Sequence, residues 1–89
     1  MEKTIKVLVL TNNQILISQI EEVGADLGEP DCKLVKPFEV KKSISDEVYL
    51  ESWNSDYTSQ DTFMVSSEKI LTLIDPKPTL LEKYQSIIK

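Results

Sequence analysis

Apolar residues crowd the first stretch of the chain, Thr4–Val23, and occupy both of its alternating faces. β-Branched and aliphatic side chains flank the pair Asn12 and Asn13. Asn tolerates the positive φ that both central residues of a type I′ turn adopt, so the pattern predicts a β-hairpin closed by these two residues. In that register Leu10 faces Ile15 across the hairpin.

The predicted register gives the hairpin two apolar faces, because side chains alternate along a strand. One face carries Leu8, Leu10, Ile15 and Ile17, and the other carries Ile5, Val7, Val9, Leu16 and Ile20. A sheet with one face in water would carry polar side chains on that face. We therefore expect both faces to be covered, for example by a barrel interior on one side and by a helix or a neighbouring subunit on the other.

The rest of the chain predicts four more strands and one helix. Cys32–Lys42 alternates again, but Pro37 cannot donate a ladder hydrogen bond, so we expect a bulge or an edge there and a bent third strand. The whole chain is one predicted domain over residues 1–89, with strands at about 4–11, 14–23, 32–42, 47–53, 62–66 and 70–75 and a helix at about 79–88. The last two strands are expected to pair as a second hairpin.

The C-terminal helix is predicted from a capping box and an apolar stripe. Thr79 and Glu82 have the spacing at which the two side chains cap the first turn of a helix. Apolar residues then recur at helical spacing, at positions 80, 81, 84, 87 and 88. A helix of about ten residues is not stable alone, so we expect it to dock on the second apolar face of the sheet.

Length and residue types limit how this fold can be stabilised. A domain of this size buries roughly 60–65% of its unfolded surface, which gives modest stability. Cys32 is the only cysteine and the chain has no histidine, which excludes an internal disulfide and the common zinc sites. Oligomerisation is then the remaining common way to add stability to a domain of this size. No metal or other cofactor is predicted.

The net charge is −5, and the segment Glu21–Asp31 contains five acidic residues and no lysine. Arginine is absent, so the bidentate group that recognises phosphate and guanine is missing. The N-terminal residues show no signal-peptide pattern, and no apolar run approaches the roughly 20 residues of a membrane helix. We therefore expect a cytoplasmic protein without a membrane partner, for which binding to RNA is disfavoured by charge.

Enzymatic activity is not expected. Proton transfer at neutral pH most often uses His, which is absent. Cys32 would need an activating group to act as a nucleophile, and its neighbours Asp31 and Lys33 have opposite effects on the pKa of a thiol. We therefore interpret Cys32 as a packing residue.

Two groups of polar residues have features of cation sites. Asn54, Asp56 and Thr58 have the spacing that opens a calcium-binding loop, but the sixth position of that loop is not Gly and the twelfth is not Glu. The second group consists of Asp26, Glu29 and Asp31. We interpret both groups as loops that face water.

The densest positive stretch lies in the third predicted strand and consists of Lys33, Lys36, Lys41 and Lys42. Lysines on an edge strand prevent unwanted pairing with other chains. We favour this protective role over phosphate binding.

The chain resembles the Sm-like (LSm) family, in particular its small phage-type and marine-metagenome members. The stretches that carry the resemblance are TIKVLVLTNNQILISQIEEV, KLVKPFEV and MVSSEKILTLIDPKPTLLEKYQSI. The resemblance implies a mainly β fold: a small, strongly bent Sm-like (SH3-like) barrel of five to six strands with a short C-terminal helix. It also implies that copies join edge to edge into a homo-oligomeric ring, commonly of five to seven subunits.

The RNA-binding elements of that family are not matched. The second turn falls in the acidic stretch Val23–Asp31, and the last turn offers only Lys69 as a cation. The remaining candidate RNA contacts are Ser66, Ser67, Lys69, Trp53 and Tyr57, the two aromatic residues by stacking on bases. For these aromatic residues we favour packing in the core or at a subunit contact.

Two functions follow from these observations. The first is a non-enzymatic ring that partners itself and serves as a scaffold for other proteins. The alternative is a ring that binds single-stranded RNA weakly. The direction of the Glu21–Asp31 acids separates the two, because acids that line the pore would repel phosphate over about 8 Å at physiological salt.

Overall fold

The computed structural model describes residues 4–24 and 30–88. It contains six β-strands, a 3₁₀ turn at Ser67–Lys69 and one helix. The strands are β1 (Thr4–Leu10), β2 (Ile15–Glu22), β3 (Cys32–Lys42), β4 (Val48–Ser52), β5 (Thr62–Val65) and β6 (Ile70–Ile74), and the helix is α1 (Pro78–Ile88). All pairings are antiparallel, and the strands form an open sheet in the order β4-β3-β2-β1-β6, with β5 also paired to β3. The prediction of a mainly β fold with a short C-terminal helix is confirmed.

The first hairpin forms, but its predicted register is wrong by one residue. Val9 pairs with Ile15, and Leu10 N donates to Gln14 O at 2.9 Å across a three-residue loop. Of the two asparagines in this loop, only Asn13 has a positive φ, at 70°. A three-residue loop with its last residue in the left-handed region is a common alternative to the two-residue turn.

The register change exchanges the two faces of β2 relative to β1, because a shift of one residue turns every side chain over. Leu16 therefore lies opposite Leu8, and Ile17 lies opposite Val7. All four of these side chains are buried, two on each face of the sheet. The expectation that both faces are covered is confirmed, although the predicted partners across the hairpin are not.

A bulge at Lys36 and Pro37 bends β3, as Pro37 predicted. Register with β2 shifts between Ile17 and Gln19, and Lys36 has a positive φ of 53°. The additional residue reverses the alternation, so Leu34 contributes to one face of the sheet whereas Phe38 contributes to the other. The prediction that these two residues share a face is wrong for this reason.

The strands β4 and β5 follow each other along the same edge of β3, away from β2. Residues 53–61 leave this edge at the bulge, between backbone bonds from Trp53 N to Pro37 O (3.1 Å) and from Lys36 N to Asp61 O (2.6 Å). β6 pairs with β1 at the opposite edge of the sheet. The predicted second hairpin is therefore wrong, because β5 and β6 pair with different strands and the 3₁₀ turn connects them.

Two apolar clusters lie on the two faces of the sheet. The inner cluster consists of Leu8, Leu10, Leu16 and Leu34, with Ile20, Trp53, Val65 and Ile70 packed against it. The outer cluster consists of Val7, Ile17 and Tyr84, with Ile5, Phe38, Val40, Leu50, Leu80 and Ile88 packed against it. Since Tyr84 and Leu80 belong to α1, the helix covers the second face as predicted.

The helix begins one residue earlier than predicted. Leu81 N donates to Lys77 O at 2.9 Å, which places Pro78 at the first helical position. Proline is favoured there because its fixed φ suits a helix and its missing N–H would have no partner within the helix. Thr79 therefore lies inside the first turn and is not the cap, so the predicted capping box is wrong.

The Tyr84 hydroxyl fills the gap that the bulge leaves between β2 and β3. It accepts a hydrogen bond from Gln19 N at 3.1 Å and donates towards Lys36 O at 2.8 Å, with Val35 O at 3.2 Å. The buried Ser18 hydroxyl also lies 3.2 Å from Val35 O. Buried backbone groups are costly without partners. Tyr84 therefore joins the helix to the bend of the sheet.

Candidate functional site

The 3₁₀ turn holds three of the candidate RNA contacts, and two of them have structural roles. Ser67 donates to Asp31 through its backbone N at 2.7 Å and its hydroxyl at 2.8 Å. The Ser66 hydroxyl accepts from Glu68 N at 3.4 Å and caps the turn. Lys69 is exposed, and only its backbone is bonded among the described residues: its N donates to Ser66 O, and its carbonyl oxygen accepts from Thr11 N, each at 3.0 Å.

Asp31 therefore ties the start of β3 to the turn between β5 and β6. The hydrogen bonds from the Ser67 backbone and then from its side chain lower the pKa of Asp31 below its ordinary 3.8. The Asp31 carboxylate therefore points at this turn, where both of its oxygens accept hydrogen bonds from Ser67. Glu21, in the same acidic segment, lies 3.7 Å from Lys33 on the neighbouring strand. Asp26 and Glu29 lie outside the described residues.

The two candidate aromatic residues have different environments. Trp53 packs against the inner cluster, with its ring 5.3 Å from that of Phe63 in an edge-to-face arrangement. Tyr57 is 86% exposed in the loop that follows Trp53. Both border a cleft of about 170 Å³ that also contains the three carboxylates of Glu39, Glu51 and Asp56 against the one ammonium group of Lys41. These carboxylates would repel a phosphate backbone at the point where a base could stack.

The five candidate residues thus lie in two groups. Trp53 and Tyr57 border the acidic cleft, whereas Ser66, Ser67 and Lys69 belong to the 3₁₀ turn, and none of those three lines the cleft. No hydrogen bond joins the two groups in the described residues. The arrangement gives no continuous surface of cations and aromatic rings.

Cys32 is buried in β3, at 7% exposure. Burial raises the pKa of its thiol, and the nearby Asp31 and Glu22 raise it further. The thiolate is the reactive form of cysteine, so this environment disfavours nucleophilic chemistry. In residues 4–24 and 30–88, no group of three or more His, Cys, Asp or Glu side chains is placed to share a metal ion.

The interpretation that the lysines of β3 protect an edge is wrong for Lys33, which is paired on both sides, whereas Lys41 and Lys42 are paired with β4 only. β3 pairs with β2 on one side and with β4 and β5 on the other. Lys41 lies 2.8 Å from Glu51 across the β3–β4 pair, and the hydrogen bond from Glu51 raises its pKa. Lys36 is part of the bulge, and its Nζ lies 3.5 Å from Ile88 O.

Two strands at the edges of the sheet, β5 and β6, carry exposed apolar residues to which the sequence pattern assigned no site. In β6, which ends the sheet on one side, Leu71 is 69% exposed, and Leu73 and Ile74 are each about half exposed. Met64 of β5 is also about half exposed on the other edge. Neither strand contains a charged residue. The uncharged sequence ILTLI was the available signal, but the predicted second hairpin assigned it a partner strand.

No helix in the part of the chain that the structure describes is long and apolar enough to cross a membrane. Comparison with curated proteins finds no match. A family model described as a family of unknown function, DUF6561, matches residues 3–89. This match does not connect the chain with the Sm-like family. The chain belongs to the DUF6561 family of unknown function.

Proposed function

We propose that the chain is an Sm-like module that assembles through its two sheet edges into a homo-oligomeric ring and serves as a non-enzymatic scaffold for other proteins. The observation that carries this proposal is the exposed, uncharged edge strand β6. Natural proteins usually protect such edges with charged residues, proline or a covering element. β6 has neither charge nor proline between Ile70 and Ile74, and no strand of the described ranges pairs with its outer side.

The second edge of the sheet consists of β4 and β5, and β5 is the strand there that resembles β6. β5 is also free of charge, and its outer side is unpaired within the described residues. β6 of one copy and β5 of the next are different surfaces, so a contact between them is heterologous. Heterologous contacts repeat from copy to copy and produce a ring when the rotation closes. This geometry supports a ring over a two-fold dimer.

The position of α1 supports the same assembly. The helix covers the outer cluster, so that face of the sheet does not need a neighbouring subunit. The exposed apolar side chains that remain on the sheet include Leu71 and Leu73 on β6 and Met64 on β5. Burying a leucine side chain contributes about 1.5–3 kcal/mol. A contact between edge strands would therefore bury the most apolar surface of the sheet on association.

Light scattering after size-exclusion chromatography tests this proposal with Leu71→Asp. Leu71 lies at a bulge of β6 opposite Val9 and Leu10 and is mostly exposed, so the substitution leaves the monomer folded. An aspartate in an apolar edge contact leaves an uncompensated buried charge. We expect the mass to fall from a multiple of 10.2 kDa to that of the monomer.

Ile44→Asp is the matched control, because Ile44 is a fully exposed apolar residue in the turn between β3 and β4 and takes the same change. We expect this variant to keep the mass of the wild type. Equal masses for all three proteins would contradict assembly through β6. A wild type that is already a monomer would contradict the ring.

Weak binding of single-stranded RNA is the alternative function. It is favoured by the exposed Tyr57 beside Trp53 at one cleft, which is an arrangement that can stack bases. The carboxylates in the same cleft oppose it. Adding a short uridine-rich RNA to the light-scattering experiment separates the two functions, because RNA binding would increase the mass and the increase would be lost in high salt.

A further inference from the structure

A groove of about 390 Å³ lies between the first turns of α1 and the paired ends of β3 and β4. Its volume falls in the range of about 300–1,000 Å³ that is typical of ligand-binding pockets. The residues that line it are Val40, Val48, Lys77, Thr79, Leu80 and Lys83. The apolar ones, Val40, Val48 and Leu80, are half-buried, so part of each side chain stays open to the groove.

Two lysines give the groove a positive charge within an acidic protein. Lys83 Nζ donates to Val48 O at 2.8 Å, which holds its ammonium group against the end of β4. Among the residues that the structure describes, no carboxylate is within ion-pair distance of Lys77 or Lys83. The first turn of α1 contains no acidic residue, so no side chain of that turn offsets the positive end of the helix dipole.

We propose that this groove is the docking site for a partner protein segment in which aliphatic side chains lie between carboxylates. The aliphatic groups would contact Val40, Val48 and Leu80, and the carboxylates would contact Lys77 and Lys83. Among the described residues, no aromatic side chain lines the groove, so the lining offers a nucleobase no surface for stacking. A nucleic-acid backbone has no aliphatic group for the apolar walls, which also favours a peptide.

This inference rests on the proposed scaffold function and names the chemistry of its partner. Each copy in a ring would present one such groove. A partner with several acidic aliphatic segments would then bind with an affinity far above that of a single groove, since later contacts become intramolecular. The groove is formed by α1, β3 and β4, whereas the proposed ring contact uses β5 and β6.

The test is the fluorescence anisotropy of a labelled peptide with two leucines between pairs of glutamates. We expect it to bind the wild type, and the variant Lys77→Glu/Lys83→Glu to bind it about tenfold more weakly or worse, which corresponds to about 1.4 kcal/mol or more. Lys69→Glu is the matched control, because Lys69 is exposed in the 3₁₀ turn and does not line the groove. We expect its affinity to stay within twofold of the wild type.

Two control peptides separate the contributions of charge and apolar contact. A peptide with serines in place of the leucines, and one with lysines in place of the glutamates, are both expected to bind at least tenfold more weakly. The milder variant Lys77→Gln/Lys83→Gln replaces the charge reversal if the latter fails to fold, and it is expected to weaken binding as well. Circular dichroism checks the fold of each variant.

Three outcomes would overturn the inference: no binding of the leucine–glutamate peptide to the wild type, an equal loss with Lys69→Glu, or binding of decanoate without binding of the peptide, which would identify a lipid site. Light scattering on the same samples distinguishes this failure from failure of the ring. A groove variant that loses the peptide but keeps the mass of the wild type supports the docking site. A monomer that still binds the peptide contradicts only the ring.

Discussion

Replacing Tyr84 with Phe removes one hydroxyl group and leaves the aromatic ring in place. The ring keeps its edge-to-face contact with Phe38, at 6.0 Å between centroids. The hydroxyl is fully buried, and it is the partner of Gln19 N and Lys36 O at the bulge. Tyr84→Phe therefore isolates the hydrogen bonds that join α1 to the bend of the sheet.

The expected cost follows from the groups that lose their partner. The Tyr84 hydroxyl has one proton, and Lys36 O at 2.8 Å is a closer acceptor than Val35 O at 3.2 Å, so the loss falls on the Gln19 N–H and the Lys36 carbonyl. A buried donor or acceptor without a partner costs about 1–3 kcal/mol, and each of these two partly buried bonds is expected to cost the lower value, about 1 kcal/mol. We expect Tyr84→Phe to lower the free energy of unfolding by about 2 kcal/mol, which for a domain of this size lowers Tm by about 8–16 °C.

Urea unfolding followed by the fluorescence of Trp53, the only tryptophan, measures this change. All proteins are compared at one concentration, because the stability of an oligomer depends on concentration. Tyr57→Phe is the matched control: Tyr57 is 86% exposed, so the same change there is expected to stay within about 0.5 kcal/mol of the wild type. A Tyr84→Phe variant as stable as the control would refute the role of the hydroxyl.

The same side chain predicts a loss of stability in base. Burial raises the pKa of Tyr84 above its ordinary 10.0, so the folded state holds the phenol proton more tightly than the unfolded state does. The contribution of the protonated Tyr84 to the free energy of unfolding is complete below pH 10 and is lost as the pH rises through the raised pKa. Unfolding of the wild type should therefore become easier above pH 10, and this part of the pH dependence should be absent in Tyr84→Phe.

Two further predictions concern the loops that fix the strands. Asn13→Ala should lower the free energy of unfolding by about 1 kcal/mol, because alanine is strained at a φ of 70°. Asn13→Gly should not lower it, and equal urea midpoints for the two variants would contradict this prediction. Asp31 has a lowered pKa, so it stabilises the fold above pH 3.8 and this contribution is lost as the pH falls through the lowered value. Acid unfolding is followed by circular dichroism. The free energy of unfolding should fall less steeply with falling pH in Asp31→Asn than in the wild type, and equal slopes for the two proteins would contradict the role of the Ser67 bonds.

The sequence predicted the elements of the fold better than it predicted their pairing. Alternation and the position of Pro37 were enough to locate the strands and the bend, because both depend on neighbouring residues. The register of the first hairpin depended on whether one or two asparagines adopt a positive φ, and Asn12-Asn13 permits both loops. The bulge at Lys36 reversed the faces of β3 in a way that alternation alone does not reveal.

The roles of Tyr84 and Asp31 were beyond the reach of the sequence pattern. Tyr84 was identified only as part of an apolar stripe, but its hydroxyl bonds to backbone groups 48 to 65 positions away. Asp31 was interpreted as a solvated acid, and its partner Ser67 is 36 positions away. Such pairs form only once the sheet brings distant segments together. The two lysines of the groove were missed for the same reason, because β3, β4 and α1 contribute its lining.

The solution mass of the wild-type protein tests the proposed assembly most directly. Light scattering over a wide range of protein concentration should give one mass, a fixed multiple of 10.2 kDa that does not grow with concentration, because a closed ring has no free edges left. A mass of 10.2 kDa at every concentration would contradict the ring. A mass that increases continuously with concentration would indicate open, fibre-like association and would contradict closure.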